Sequence, residues 1–212
     1  MENKKKSLWQ FFQMLGKTFM FPIALLSVCG MLLGIGSAFT NSSLIEAVPL
    51  LGNPVLQKIF SFMTTLGLFA FNNLGVLFAM AIPLGLLKEE KEFGAFTGLV
   101  SFMAMHIGTN FYLTITDQLA AADKMTEAGQ GMILGIQTYN TSVLGGIIAG
   151  LMVFWLYPKI SKVKIPEALG FYSGPRLAPI AMLVIMGIFG MVAVPLFWQP
   201  FYNFFKMIGE WI

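Results

Sequence analysis

The stretch "KVKIPEALGFYSGPRLAPI", Lys162 to Ile180, separates two strongly apolar stretches, "VLGGIIAGLMVFWLY" before it and "AMLVIMGIFGMVAVPLFW" after it. Uncharged apolar runs of about 20 residues are typical of membrane-spanning helices. The quoted stretch instead contains three prolines, two glycines and three cations. It therefore predicts a polar connection between two spans.

This connection has the ingredients of ordered surface structure. Pro166 suits the first turn of a short helix, because its fixed φ is compatible with a helix start. Phe171 and Tyr172 are amphipathic anchors, and Gly174 with the following proline sets a turn before Arg176. We expect a short surface helix and an ordered turn, which suit a hinge or a docking site on the cytoplasmic face.

The composition excludes several classes of protein. The chain of 212 residues is 57% hydrophobic and 11% charged, whereas soluble domains are about 25% charged. Disorder would need low hydrophobicity and high charge. Cys29 is the one cysteine, so no intrachain disulfide or cysteine cluster forms. Phosphate-loop, dinucleotide, zinc and nucleic-acid signatures are missing, so we expect no cofactor, no metal and no nucleic-acid partner.

Apolar segments recur along the whole chain. Residues 1–17 precede them and predict an amphipathic helix on the cytoplasmic membrane surface. The first segment is too long for a signal peptide, so we predict an uncleaved span. The five segments are about Thr18 to Phe39, Ile59 to Leu87, Phe93 to Ile115, Met132 to Tyr157 and Leu177 to Trp198.

These segments predict helices, because open strand edges in hydrocarbon leave backbone groups unpaired and the alternation of barrel strands is missing. The fold class is therefore all-α, a polytopic membrane protein of about five transmembrane helices plus short amphipathic surface helices. The second segment is longer than one span needs. Since Asn72, Asn73 and Gly75 interrupt it, a tilted or broken single crossing is the simplest interpretation.

The positions of the cations predict the orientation. With a cytoplasmic N-terminus, ten of the thirteen cations face the cytoplasm, as the positive-inside rule prefers. These ten are Lys4, Lys5, Lys6, Lys17, Lys88, Lys91, Lys159, Lys162, Lys164 and Arg176. The outside then receives Lys58, Lys124 and Lys206.

Polar residues within the spans are weak candidates for substrate contacts. Asn72 and Asn73 either line a cavity for a polar solute or form an interhelical hydrogen bond or kink. His106 and Asn110 lie in the third segment, and His106 is either a proton relay or sugar partner, or a neutral imidazole bonded to a neighbour. A polar cluster at the start of the fourth segment either contacts a polyhydroxylated solute or marks the interface. It consists of Gln137, Thr138, Asn140, Thr141 and Ser142.

Glycines recur four residues apart, a spacing that lets helix backbones approach closely in lipid. The spacing predicts tight helix packing or a dimer face. The pairs are Gly30 and Gly34, Gly94 and Gly98, Gly131 and Gly135, and Gly146 and Gly150.

The connection resembles the cytoplasmic loop of glucose-superfamily sugar permeases of the bacterial phosphotransferase system (PTS), closest to the maltose and alpha-glucoside members. The matching residues are Ile165, Pro166, Leu169, Phe171, Tyr172, Gly174, Arg176, Pro179 and Ile180. The stretches "WQFFQMLGKTFMFPIALLSVCGMLLGIG", "LGNPVLQKIF" and "LFAMAIPLGLLKEEKEFGAFTG" fit the same family.

The resemblance implies the membrane component called enzyme IIC (EIIC), located in the bacterial cytoplasmic membrane. In that family a sugar of the glucose, maltose or alpha-glucoside class is carried across the membrane and phosphorylated. The phosphate comes from phosphoenolpyruvate through the phosphocarrier components IIA and IIB. The family's fold of about ten spans uses its first half mainly as a dimer scaffold, which implies a homodimer here.

The family's substrate histidine and glutamate and its IIB phosphocysteine lie in motifs that this sequence lacks. His106 and Cys29 match none of them, so whether the chain is an enzyme stays open and no catalytic residue is assigned. We predict an N-terminal, truncated EIIC. Residues 1–17 are its cytoplasmic segment, 18–198 its five-span scaffold and 199–212 the start of an incomplete next segment. The alternative is a dimerising membrane scaffold without transport of its own.

Overall fold

Helices make up most of the structure, a computed structural model that describes residues 2–211. The elements in chain order are α1 (Glu2–Thr18), α2 (Met20–Phe39), α3 (Ser42–Ala47), α4 (Pro54–Asn72), α5 (Leu74–Leu86), α6 (Lys91–Ile115), β1 (Gln130–Ile133), β2 (Ile136–Tyr139), α7 (Ser142–Ile160) and α8 (Leu177–Trp211). Short 3₁₀ helices at Pro49–Gly52, Glu167–Tyr172 and Gly174–Arg176 lie in the connections. The predicted all-α class is confirmed.

Several helices are suited to cross a bilayer. Within the described chain, four stretches are long and apolar enough, namely Trp9–Phe39, Pro54–Asn72, Ser142–Ile160 and Gly174–Ile208. The third predicted span is α6, whose 25 residues extend over about 37 Å at the rise of an α-helix. Its polar residues, rather than its length, separate it from the other four.

The second predicted segment is broken. Helix α4 ends at Asn72 and α5 begins at Leu74, with Asn73 between them. The Asn73 side chain donates a hydrogen bond from Nδ2 to the Phe69 carbonyl oxygen at 2.8 Å, which satisfies one of the free carbonyls at a helix end. The structure thus favours a broken helix over a tilted one.

The predicted start of the fourth span, near Met132, is wrong. Residues 130–139 form an antiparallel β-hairpin, and α7 begins only at Ser142. Leu134 and Gly135 connect the strands with φ of 50° and 81°, as a type I′ turn requires. The polar first half of the apolar segment is therefore a folded loop that precedes the helix.

Helix α8 is longer than the fifth predicted segment. Its 35 residues continue through Pro195 and Pro200 to Trp211, and membrane helices tolerate such prolines when neighbours satisfy the backbone. Residue 198 is therefore not a helix end. The division into 1–17, 18–198 and 199–212 stays a prediction.

The helices form two regions that differ in packing. Helix α6 packs against α5, α7 and α8, whereas α2 packs mainly against α4. We refer to α5–α8, residues 74–211, as the bundle and to α2–α4, residues 20–72, as the arm. The bundle core includes Ala79, Phe102, Met105, Leu113, Ala149, Val153, Met182 and Met186.

Glycines allow the closest contacts inside the bundle. A Cβ atom on Gly98 would collide with the Ala79 carbonyl oxygen, and one on Gly108 would collide with the carbonyl oxygen of Gly187. A Cβ atom on Gly34, in contrast, would meet nothing within 4 Å. Tight packing therefore explains some of the predicted glycine pairs, whereas Gly131 and Gly135 lie in or beside the hairpin.

Candidate functional site

His106 on α6 contacts the hairpin with its buried imidazole. Its side chain is 1% exposed, with Nδ1 3.3 Å from Thr138 Oγ1 and Nε2 3.5 Å from Thr141 Oγ1. A neutral imidazole donates through one nitrogen and accepts through the other, and a hydroxyl can do either. The Phe102 ring packs edge-on against the imidazole, with centroids 4.4 Å apart. This geometry corresponds to the structural alternative for His106.

Asn110 belongs to a second set of hydrogen bonds that hold the same hairpin. Its Nδ2 donates to the Gln137 carbonyl oxygen at 2.7 Å. Gln137 Nε2 donates to Gln130 Oε1 at 3.0 Å, and Gln130 Nε2 donates to the Gln118 carbonyl oxygen at 2.7 Å. These amides satisfy backbone carbonyl groups of an irregular loop that has few hydrogen bonds of regular secondary structure.

Two tyrosine side chains also hold the loop between α6 and α7 in place. Burial, followed by the neighbouring Tyr112, raises the pKa of the Tyr139 hydroxyl, which stays protonated and donates to Gln118 Oε1 at 3.4 Å. Tyr202, near the end of α8, donates to the Thr126 carbonyl oxygen at 2.9 Å. The loop between α6 and α7 is therefore fixed from two sides.

Asn72 and Asn73 lie at the edge of a concave site that we name the asparagine niche. Its lining includes Phe71, Asn72, Asn73, Phe102, Asn140 and Ser142, and its cavity volume is about 330 Å³. Amide and hydroxyl groups beside aromatic rings suit a small hydroxylated ligand, because polar groups orient it while apolar groups cover it. His106 and Asn110 are not among the lining residues.

The predicted connection between α7 and α8 is ordered by contacts of its own. Arg176 Nη1 donates to the Phe171 carbonyl oxygen at 3.2 Å, and its guanidinium carbon lies 4.8 Å from the centroid of the Phe171 ring. Tyr172 packs edge-on against Phe171, and Gly174 adopts a φ of 70°. Pro166 precedes a 3₁₀ helix rather than an α-helix. Phe171 remains 71% exposed.

A contact between α7 and the α5–α6 turn was not predicted. The Tyr157 hydroxyl donates to Glu90 Oε2 at 2.9 Å, and Tyr157 is 2% exposed. Glu90 has a left-handed φ of 53°, which is uncommon for a residue with a side chain. The two residues are 67 positions apart, so the sequence carries no local signal of their pairing.

The described part of the chain offers little for metal binding. Within residues 2–211, no three histidine, cysteine, aspartate or glutamate side chains come together to hold a metal ion. Cys29 is buried, and its carbonyl oxygen lies against Gly67 of α4. This thiol packs as a small apolar group.

The chain is similar to proteins of one transport system. Residues 16–212 match the family described as "Phosphotransferase system, EIIC". The "PTS system maltose-specific EIICB component" of Escherichia coli (strain K12) is 44% identical over 210 residues, which cover 98% of this chain and 39% of that relative. The chain thus spans about two fifths of the relative's length.

Proposed function

The chain belongs to the EIIC family of the phosphotransferase system, and we propose that it supplies membrane helices for the uptake and coupled phosphorylation of sugars of the glucose and maltose class. It is a multi-pass membrane protein, a component of a sugar phosphotransferase system. Its location in the bacterial cytoplasmic membrane with a cytoplasmic N-terminus is part of the proposal. The observation that carries the proposal is the 44% identity across nearly the whole chain.

A chimera tests this proposal. The corresponding segment of the E. coli maltose-specific relative is replaced by this chain, and uptake of radiolabelled maltose is measured in cells that contain the phosphocarriers. We expect saturable uptake by the chimera. A chimera that reaches the membrane in normal amount but takes up no maltose would instead support the scaffold alternative.

We propose the asparagine niche as a place of sugar contact. The Asn72 side chain is exposed. Asn73 Nδ2 donates a hydrogen bond to the Phe69 carbonyl oxygen, and Asn73 Oδ1 remains available. Asn140 and Ser142 add an amide and a hydroxyl from the other side of the niche. His106 and Asn110 are left out of this contact because neither lines the niche and both contact the hairpin instead.

The double variant Asn72→Ala, Asn140→Ala in the chimera tests the niche. Because each lost hydrogen bond costs about 1 kcal/mol, we expect the apparent affinity for maltose to fall by about tenfold or more. The matched control is Asn203→Ala, which removes an exposed amide from α8. Unchanged affinity in the double variant would exclude the niche from sugar recognition.

We propose that the phosphocarrier IIB docks on the connection between α7 and α8. Phe171 and Tyr172 are exposed and Arg176 is held against Phe171, so an aromatic and cationic surface is available. The variant Phe171→Ala should reduce phosphorylation of maltose by the chimera while maltose binding is retained. Loss of both, or of neither, would argue against a docking role.

The arm is the proposed surface for a homodimer. Large apolar side chains on α4 are exposed, with Phe62 at 62%, Leu66 at 43% and Phe69 at 53%. The spacing of these residues places them along one side of the helix. A second copy or lipid must cover this surface in the membrane.

A further inference from the structure

A cavity lies at the end of the bundle where α5 and α7 end and α6 begins. Its volume is about 600 Å³, and it is enclosed by α1, the α5–α6 turn and the last turns of α7. Met14, Leu87 and Phe154 form apolar walls. The site is distinct from the asparagine niche, with which it shares no residue.

Three lysines are clustered at this cavity. Lys88, Lys91 and Lys162 line it together with Glu89 and Glu90, and Glu92 lies close enough to Tyr157 of the same lining to act on it electrostatically. Glu90 already accepts the Tyr157 hydroxyl. None of the three ammonium groups forms an ion pair with a carboxylate within residues 2–211. An adjoining recess that shares Met14 and Gly85 with the cavity adds Lys17.

The surroundings of the cavity are those of a membrane–water boundary. Helix α1 exposes Trp9 and Phe12, at 67% and 56%, and α7 exposes Trp155 at 59%. Exposed aromatic residues of this kind are typical of the boundary between headgroups and acyl chains. A ligand here meets cations on one side and hydrocarbon-like walls on the other.

We propose that this cavity binds one anionic phospholipid, with its phosphate among Lys88, Lys91 and Lys162 and its acyl chain along Met14, Leu87 and Phe154. Basic pockets between membrane helices recognise anionic headgroups by this combination of charge and apolar surface. The bound lipid would link α1 to the bundle. The proposal depends on membrane insertion alone and is independent of the sugar.

Native mass spectrometry of the purified full chain in detergent tests the proposal. The protein is titrated with phosphatidylglycerol, phosphatidylethanolamine and phosphatidylcholine, and bound lipids are counted. The wild-type chain should bind one phosphatidylglycerol at least about tenfold more tightly than phosphatidylcholine, since each lysine near a headgroup contributes roughly fivefold. The triple variant Lys88→Gln, Lys91→Gln, Lys162→Gln should lose this preference.

A matched control removes the same charge elsewhere. The triple variant Lys58→Gln, Lys124→Gln, Lys206→Gln changes residues that do not line the cavity and should retain the preference. Equal binding of the three lipids by the wild-type chain would overturn the proposal, as would an equal loss in both triple variants. Displacement of phosphatidylglycerol by millimolar inorganic phosphate would also overturn it, because the site would then recognise a free anion.

Discussion

The bundle buries polar side chains beside its apolar core, whereas the buried residues of α4 in the arm are small. In the arm, the buried positions of α4 are Gly67 and Ala70, while its large apolar side chains face outward. In the bundle, α6 buries Thr97, Ser101 and His106 beside its apolar residues. Lipid is as apolar as leucine, so apolar side chains gain little by leaving it. Polar groups must be enclosed by protein, and the most polar span therefore occupies the centre.

The largest expected difference concerns glycine. Gly108→Ala in the bundle forces a Cβ against the backbone of α8 and should lower the free energy of unfolding by about 3 kcal/mol, at the upper end for overpacking. The Cβ added by Gly34→Ala in the arm meets open space. This variant should raise the free energy of unfolding by less than about 1 kcal/mol. Thermal unfolding of both variants in one detergent measures the contrast. Equal effects would mean that the close contact of Gly108 with α8 does not limit the packing of the bundle.

A smaller effect is expected for His106→Ala, which breaks the contacts to Thr138 and Thr141. Buried groups left without partners cost about 1–3 kcal/mol, and the loss should be concentrated in the hairpin. Hydrogen exchange of residues 130–139 should become faster, while exchange in the arm stays unchanged. The control Thr65→Ala, on an exposed face of the arm, should leave both regions as they were. Unaltered exchange in the hairpin would contradict the role of His106 as its anchor.

Tyr157→Phe removes only the hydrogen bond to Glu90. Hydrogen bonds to charged groups are worth about 1.5–3 kcal/mol, so the α5–α6 turn should exchange its amide hydrogens faster. Tyr172→Phe is the matched control, because Tyr172 is 45% exposed. If the amide hydrogens of the α5–α6 turn exchange at the same rate in both variants, the Glu90 contact contributes nothing to the stability of the bundle.

The smallest effect on stability is expected for Phe62 and Leu66, two exposed side chains on α4 of the arm. The double variant Phe62→Ala, Leu66→Ala should change the free energy of unfolding of the monomer by less than about 0.5 kcal/mol, as surface substitutions do. Cross-linking in membranes should nevertheless show fewer dimers if a second copy covers this face. An unchanged dimer fraction would mean that lipid alone covers it.

The sequence predicts the helices well where apolar runs end at prolines, glycines or charges. Asn72 and Asn73 correctly indicate a break in the second segment, and Gly98 indicates a tight helix contact. The hairpin is missed because Met132 and Ile133 extend an apolar run that periodicity alone cannot separate from a helix. The Leu134–Gly135 turn is the local signal that was available.

The candidate site is less predictable, because its parts are distant in sequence. Asn72 and Asn140 line one niche only after α5 and α7 have packed against each other. The Glu90–Tyr157 contact likewise depends on tertiary packing. His106, prominent as the one histidine, holds a loop in place, so rarity in a sequence is a poor guide to function.

The central claim is that the helices cross the membrane and place the loop between α6 and α7 and the α7–α8 connection on opposite sides. Cysteine labelling with an impermeant maleimide tests this directly in the Cys29→Ser background. In intact cells, Lys124→Cys in the loop between α6 and α7 should be labelled and Lys162→Cys should not, and permeabilised cells should label both. Labelling of Lys162→Cys in intact cells to the same extent as Lys124→Cys would contradict the account.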